Sequence, residues 1–344
     1  MRDDTSGVAA PRGQRFYTGK PVGSESQFNP LSLVINGGYD QLRWASADRR
    51  IFKLDYETAA EGVWRTVTQP DRVLRLYGTR RFFERQLFPF SGKSSGGGQW
   101  VPNYQLHLFA GGMTGVRMTE WYEQHGTAHP ELAAAATVTA WHVLTEMVEN
   151  QAGVLSADAM ADLLIFDPAA FLLWRNDWVQ RTFSTRVQMT NWSGQPAITT
   201  PRATLQNMQQ TTMLRAQTPW GNAFRPMTTF GGSFLLGISG RRGETDWISL
   251  AAGWDPTENR IIDPITGERT VTLNPNYGVF YDRDGSLLGA INVRLNRKER
   301  VLVNVYPGVV HFGRWAPGLF AHILDDGRLR FGIVPRLGIG IGVE

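Results

Sequence analysis

The sequence predicts an α+β protein, with an N-terminal helical region followed by a C-terminal antiparallel β-barrel of roughly eight to ten strands. Apolar residues recur at three- and four-residue spacings up to Arg181 and at every second position after it. Turn-forming sequences separate the alternating runs. We therefore expect three parts: a disordered arm over 1–27, a helical domain over 28–181 with a flexible linker at 91–98, and the barrel over 182–344.

Four helices in the helical domain have clear start signals. They are expected at 102–124, at 130–150, from Ser156 to Phe166, and from Pro168 onward. Proline suits the first turn of a helix, and Ser156 and Asp167 are typical N-cap residues, because their side chains accept hydrogen bonds from free backbone N–H groups.

The strands are identified by alternation. In 247–254, Ile248, Leu250 and Trp254 lie on one face, and the small Ser249 and Ala251 lie on the other. Aspartate–glycine pairs at 284–285 and 326–327 are typical of hairpin turns. The segment 255–268 is rich in polar residues and proline, which favours an exposed loop.

Periodicity alone does not say which face of the barrel is inside. A lipid-embedded barrel has apolar residues outside and small or polar residues inside, whereas a soluble barrel has the reverse. The polar faces here hold Gly, Ser, Asn and Arg with little Lys or Glu, which favours the lipid-facing arrangement over a soluble barrel. The chain contains no apolar run of about 18 residues. Its N-terminus also lacks the apolar middle of a signal peptide. The protein is then either cytoplasmic or exported by a segment upstream of this chain.

Composition excludes several classes of function. The net charge of +4 is too small for a nucleic-acid-binding protein. The absence of cysteine excludes disulfides and thiolate chemistry. Only four of the 35 basic residues are lysine. Genome composition can produce that bias, but so can a need for arginine to clamp lipid phosphate or carboxylate groups.

Five stretches, at 27–43, 72–90, 103–126, 129–150 and 156–174, resemble an uncharacterised family of bacterial envelope proteins. In that family a helical segment rich in Gly, His and Glu is joined to an outer-membrane-type barrel. The resemblance implies this architecture, a place in the outer membrane or on the periplasmic side of a membrane, and contact with membrane lipid. The matching positions are His107 with Gly111 and Gly112, Glu146 with Glu149, and Ser156 with Asp162.

Three polar residues are candidates for chemistry. His142 and Glu146 are four residues apart and share a helix face, and His107 meets them if its helix packs antiparallel. Such a set can bind a divalent metal or act as an acid–base pair. A polar seam between helices explains the same residues, and we favour it. We therefore assign no catalytic residue and expect no cofactor or metal.

These observations leave three functions open. The first is a non-enzymatic, membrane-associated scaffold or partner-docking subunit of the bacterial envelope, in contact with lipid and other membrane proteins but not with nucleic acid. The second is a membrane-extrinsic accessory subunit of a larger membrane protein complex. The third is an envelope lipid hydrolase or acyltransferase that uses His107, His142 and Glu146.

Overall fold

The computed structural model of the chain describes residues 15–44, 49–89, 100–219, 221, 223–263 and 268–344. Helices occupy its first half. The linker expected at 91–98 and the first part of the expected arm lie outside the described residues. The helices are α1 (Pro30–Gly38), α2 (Gln41–Trp44), α3 (Tyr56–Thr68), α4 (Pro70–Tyr77), α5 (Thr79–Phe82), α6 (Gly112–Gln124), α7 (Pro130–Glu149), α8 (Ala157–Ala161), α9 (Asp167–Trp174) and α10 (Asp177–Arg181).

Shorter helical segments complete this half. Those at Phe83–Leu87, Trp100–Gly111, Asp162–Phe166 and Thr182–Arg186 are π-helices, and those at Ser24–Gln27 and Ile51–Lys53 are 3₁₀ turns. Helical structure thus continues to Arg186, past the boundary expected at residue 181. Among the described residues, no helix combines the length and the apolar character needed to cross a bilayer.

The described residues of the second half form one sheet of thirteen strands. They are β1 (Met189–Asn191), β2 (Ala197–Thr200), β3 (Thr204–Gln206), β4 (Thr211–Arg215), β5 (Phe224–Gly231), β6 (Phe234–Arg242), β7 (Asp246–Asp263), β8 (Glu268–Arg283), β9 (Ser286–Arg294), β10 (Glu299–Val305), β11 (Gly318–Leu324), β12 (Leu329–Val334) and β13 (Gly340–Val343).

The α+β class and the antiparallel sheet are confirmed, but the strand count and the closed barrel were wrong. The strand order is β1-β4-β5-β6-β7-β8-β9-β10-β11-β12-β13-β2-β3. Neighbours are antiparallel except for β13 and β2, which pair in parallel. In the described part of the chain, β1 and β3 are therefore the two edges. The loop expected at 255–268 was wrong for residues 255–263, which belong to β7, and for residue 268, which begins β8; residues 264–267 lie outside the described residues.

The sheet is nonetheless strongly curved. Eleven inter-strand spacings separate β1 from β2, which is about 53 Å in a flat sheet at about 4.8 Å per spacing. Yet Asn191 ends β1 and Ala197 begins β2, and six residue steps reach about 22 Å at most. The sheet must curl until its two ends approach each other, with one short segment of chain joining them.

The concave face is buried, and much of the convex face is exposed. Leu235, Ala251 and Phe280 belong to a core inside the curve, together with Trp192 and Met213. Alternate residues of the same strands point outward and are apolar. From β6 to β13 they include Phe234, Leu236, Ile238, Ile248, Leu250, Trp254, Leu273, Tyr277, Val279, Tyr281, Ile291, Val293, Ile323, Leu329, Phe331, Ile333, Ile341 and Val343, all exposed.

The helices that the structure describes cover the convex face near the two ends of the sheet. Phe230 of β5 and Met189 of β1 pack against Met113 and Trp174 from the helical half. Leu205 of β3 packs with Leu42, near the other end. The helical half thus lies over the seam between the ends of the sheet and leaves the apolar surface of β6–β13 uncovered.

The N-terminal segment 15–28 also packs into the fold, so the disordered arm expected over 1–27 was wrong for residues 15–27. Phe16 and Tyr17 are buried. The Glu120 carboxylate accepts hydrogen bonds from the backbone N–H groups of Arg15, Phe16 and Tyr17 at 2.7–2.8 Å. The sequence of this segment is polar, but its backbone is anchored by a buried carboxylate that lies about a hundred residues away.

Candidate functional site

Two residues of the site lie on π-helices rather than ordinary α-helices. His107 is on the π-helix Trp100–Gly111, and Asp162 begins the π-helix Asp162–Phe166. An ordinary α-helix was expected at both places. The wider π-turn changes the direction in which the side chains point, and such segments are frequent at functional sites. His142 and Glu146 lie one turn apart on α7, as their spacing predicted.

The histidine and carboxylate side chains meet in a buried cluster, which we call the His–Asp cluster: His107, His142, Glu146, Asp162 and Asp167. His107 Nδ1 lies 2.9 Å from Asp167 Oδ1, and His142 Nδ1 lies 2.6 Å from Asp167 Oδ2. Because an ionised carboxylate only accepts hydrogen bonds, both rings donate their Nδ1–H to Asp167. These hydrogen bonds place a proton on Nδ1 of each ring, and Nε2 of each ring points away from Asp167.

The second nitrogen of His107 faces a different carboxylate. His107 Nε2 lies 3.3 Å from Asp162 Oδ2. The other oxygen of Asp162, Oδ1, is buried and has no hydrogen-bond partner within the described part of the chain. Ligating atoms of His107, Glu146 and Asp162 all lie within 4.8 Å of one another, and the same holds for His107, His142 and Asp167.

Burial and mutual charge shift the pKa values in this cluster in opposite directions. Burial raises the pKa of Asp162 well above its usual range, and the nearby carboxylates of Asp158 and Glu146 raise it further. Burial also acts to raise the pKa of Asp167, but the two histidines outweigh it and hold that pKa well below the usual range.

The two histidines differ as well. Burial acts to lower the pKa of His107, but the hydrogen bond to Asp167 and the charges of Asp167, Asp158 and Glu149 together outweigh burial, and the pKa is raised. For His142 burial prevails over the attraction of Asp167, and the pKa is lowered. The carboxylate of Asp167 is therefore ionised and lies between two histidines whose pKa values shift in opposite directions. Beside them lies Asp162, whose ionised form is disfavoured.

The structure brings together all three residues proposed from the sequence and adds two more. Asp167 was predicted as an N-cap, but its backbone is helical and continues the preceding π-helix. Its carboxylate instead binds both histidines. Asp162 was noted only as part of a family resemblance. Its position five residues before Asp167 was the available signal, but the sequence could not show that both side chains face α7.

A second group of buried charges lies inside the curve of the sheet. Asp255 is fully buried and contacts Arg43 at 2.9 Å, and Arg294 and Arg297 at 3.1 Å each. Burial acts to raise the pKa of Asp255, but the three arginines outweigh it and lower that pKa. Burial in turn lowers the pKa of Arg297 to about 10. Since Arg43 is on α2, this group joins the helical half to the sheet.

Beside this group a cavity of about 770 Å³ opens at the ends of the strands. Buried Glu299 lies near it and contacts Arg49 at 2.7 Å and Arg330 at 3.2 Å. Such a concentration of guanidinium groups suits phosphate or carboxylate ligands. Cationic side chains outnumber the two acidic ones, Glu299 and Glu344, in its lining: Arg43, Arg49, Arg50, Arg202, Arg297, Lys298, Arg328 and Arg330.

The comparisons with known proteins add no family assignment. No family model, curated protein sequence or solved structure matches this chain.

Proposed function

We propose that this chain is a membrane-associated, non-enzymatic protein of the bacterial envelope, whose curved sheet contacts lipid and whose helical half serves as a scaffold or docking surface for other membrane proteins. The exposed apolar face of β6–β13 is the observation that carries this proposal. On this view its partners are membrane lipid and other membrane proteins, and not nucleic acid.

The size of that face supports contact with lipid. Seven inter-strand spacings make it roughly 34 Å wide, and its apolar stretches run about 17 Å along β12 and about 30 Å along β8. Soluble monomers rarely expose apolar patches larger than a few hundred Å². A membrane-spanning strand needs about 9–11 residues. The stretch Leu273–Tyr281 of β8 has about that length, whereas Leu329–Ile333 of β12 is shorter. Insertion is therefore expected to be deepest at β7 and β8.

The arginine-lined cavity supports an anionic headgroup as part of the lipid partner. It opens at the same ends of β10 and β12 at which the apolar outward residues begin, beside Leu329. On this proposal acyl chains lie against the convex face while lipid phosphate is held by arginines. Coulomb attraction then favours anionic over neutral membranes.

The alternatives differ in what the convex face contacts. As an accessory subunit, the protein would cover this face with another protein instead of lipid. As a lipid hydrolase or acyltransferase, it would have to bring substrate to His107, His142 and Glu146. Each of these side chains is at most 9% exposed. That burial favours the non-enzymatic proposal.

Vesicle flotation tests the lipid proposal with a matched pair of variants. Leu250 of β7 is 57% exposed on the convex face, and Leu132 of α7 is 69% exposed on the helical half. Leu250→Arg should reduce binding to vesicles of phosphatidylethanolamine and phosphatidylglycerol, because a charge on a lipid-facing strand costs about 2–4 kcal/mol near the middle of the bilayer. Leu132→Arg should float like the wild type.

Two further measurements sharpen the test. Brominated lipids should quench tryptophan fluorescence in the wild type and less so in Trp254→Phe, since Trp254 is exposed on the same face. Arg202→Gln combined with Lys298→Gln should weaken binding to anionic vesicles but not to neutral ones. A wild type that does not float, or equal flotation of Leu250→Arg and Leu132→Arg, would rule the proposal out in favour of a protein partner.

A further inference from the structure

We infer that the His–Asp cluster is a binding site for one divalent transition-metal ion, with His107 Nε2, Asp162 and Glu146 as ligands and Asp167 as the residue that positions both histidines. This inference is independent of the membrane proposal. It rests on four observations about the buried side chains.

The first observation is the separation of His107 Nε2 and Asp162 Oδ2, which is 3.3 Å. A hydrogen bond between imidazole and carboxylate is normally shorter, about 2.7–2.9 Å when charged, and both Nδ1 contacts of the cluster have such short distances. Two ligands about 2.1 Å from a common ion and 3.3 Å from each other subtend about 100–110° at the ion. That is close to the tetrahedral angle.

The second observation is the tautomer that Asp167 imposes. Because both histidines donate Nδ1–H to this carboxylate, Nε2 is the nitrogen of His107 that faces Asp162, and in the neutral ring it carries the lone pair that a metal needs. Metal-binding histidines in proteins almost always donate the other ring N–H to a carboxylate, a carbonyl or water. Asp167 fills that role for two rings at once.

The third observation is the unpartnered oxygen of Asp162. Asp162 is 2% exposed, and its Oδ1 has no hydrogen-bond partner among the residues that the structure describes. A buried polar atom without a partner costs about 1–3 kcal/mol, and such atoms in folded proteins often mark a missing ion or water. An ion bound by both carboxylate oxygens of Asp162 would supply the missing interaction to Oδ1, while Oδ2 faces His107.

The fourth observation is the balance of charge. Three buried carboxyl groups, those of Glu146, Asp162 and Asp167, lie around two buried histidines, so acidic side chains outnumber the histidines in the cluster. A divalent cation is the kind of ligand that such a set of buried oxygen and nitrogen atoms can hold. Mixed nitrogen and oxygen ligands favour Zn²⁺ and its neighbours over Ca²⁺ and Mg²⁺, which prefer oxygen alone.

Metal analysis of the purified full-length protein is the direct test. The apo-protein, prepared with a chelator, should take up one Zn²⁺ or Co²⁺ per chain, and Co²⁺ should give visible ligand-field absorption. His107→Gln and Asp162→Asn should lose this stoichiometric binding. His129→Gln is the matched control, because His129 is an exposed histidine at the start of α7, and it should bind like the wild type.

Asp167→Asn tests the positioning role separately. The amide still accepts one Nδ1–H, so metal binding should persist but weaken about 10- to 100-fold, with a changed Co²⁺ spectrum. The Co²⁺ titration of the wild type decides the inference even if a ligand variant fails to fold. A correctly folded wild type that binds neither ion, or equal metal content in the wild type and Asp162→Asn, would show that protons rather than a metal hold the cluster together.

Discussion

His322 illustrates how burial makes one residue sensitive to pH. It is 1% exposed, its Nε2 lies 3.0 Å from Asn207 Oδ1, and its Nδ1 has no hydrogen-bond partner among the described residues. Because Oδ1 can only accept, His322 donates its Nε2–H. Burial lowers its pKa to about 3, although Glu299 acts to raise it. The neutral form is therefore the one that the fold accommodates.

We expect His322 to make the protein less stable as the pH falls. An unfolded histidine has a pKa of about 6.5, so the stabilisation from keeping His322 neutral is complete above that value. It is lost between about 6.5 and the folded pKa of about 3, at about 1.4 kcal/mol per pH unit.

Urea unfolding at several pH values checks this expectation. Between pH 6.5 and about 4.5, above the range in which most carboxylates titrate, His322→Gln should have a shallower loss of stability than the wild type. His129→Gln changes an exposed histidine and should follow the wild-type curve. Parallel curves for the wild type and His322→Gln would contradict the prediction.

At the scale of elements, β13 depends on glycine. It is the last strand along the chain, and it pairs in parallel with β2, one of the first strands. A Cβ at Gly340 would collide with the carbonyl oxygen of Ile333 on β12. Val343 of the same strand is 44% exposed on the convex face. Gly340 thus has no room for a larger side chain, whereas the exposed side chain of Val343 can be shortened at little cost in stability.

We expect Gly340→Val to lower the free energy of unfolding by about 1–3 kcal/mol, since overpacking forces the backbone of β12 and β13 apart. Val343→Ala should change it by about 0.5 kcal/mol or less, as surface substitutions usually do. Denaturant unfolding measures both. Similar effects from the two substitutions would mean that β13 contributes little to the sheet.

At the scale of the whole molecule, Asp255 joins the two halves of the chain. Its carboxylate binds Arg43 from α2 and two arginines from the sheet. Removing one partner of a buried ion pair leaves the other charge uncompensated, which costs about 3–5 kcal/mol. Exposed ion pairs contribute about 0–1 kcal/mol. The group therefore has much more influence on stability than the surface pairs.

Asp255→Asn should therefore lower the free energy of unfolding by about 3–5 kcal/mol. Asp326→Asn, which disrupts the exposed pair with Arg328 at 2.7 Å, should change it far less, because solvent screens that pair. Thermal and urea unfolding of the two variants gives the comparison. If Asp255→Asn costs no more than Asp326→Asn, the contact between Arg43 and Asp255 does not hold the two halves together.

The sequence by itself determined the α+β class, the order of helices before strands, and the alternation that assigns each strand residue to a face. Such patterns are local, because the period of a helix or a strand is set by its own backbone geometry. The helix spacing also placed His142 and Glu146 on one face of α7. The π-helices and the strand pairing of 255–263 were not predicted, because no local pattern distinguishes a π-helix from an α-helix or a polar strand from a polar loop.

Tertiary structure alone decided which face of the sheet is outside, how the ends of the sheet approach each other, and what surrounds His107. These depend on contacts between residues far apart in the sequence. Asp167 binds a histidine 60 residues earlier, and Arg43 binds an aspartate 212 residues later. Periodicity is the same for a sheet turned inside out, so only the packed chain shows that Leu250 is exposed while Ala251 is buried.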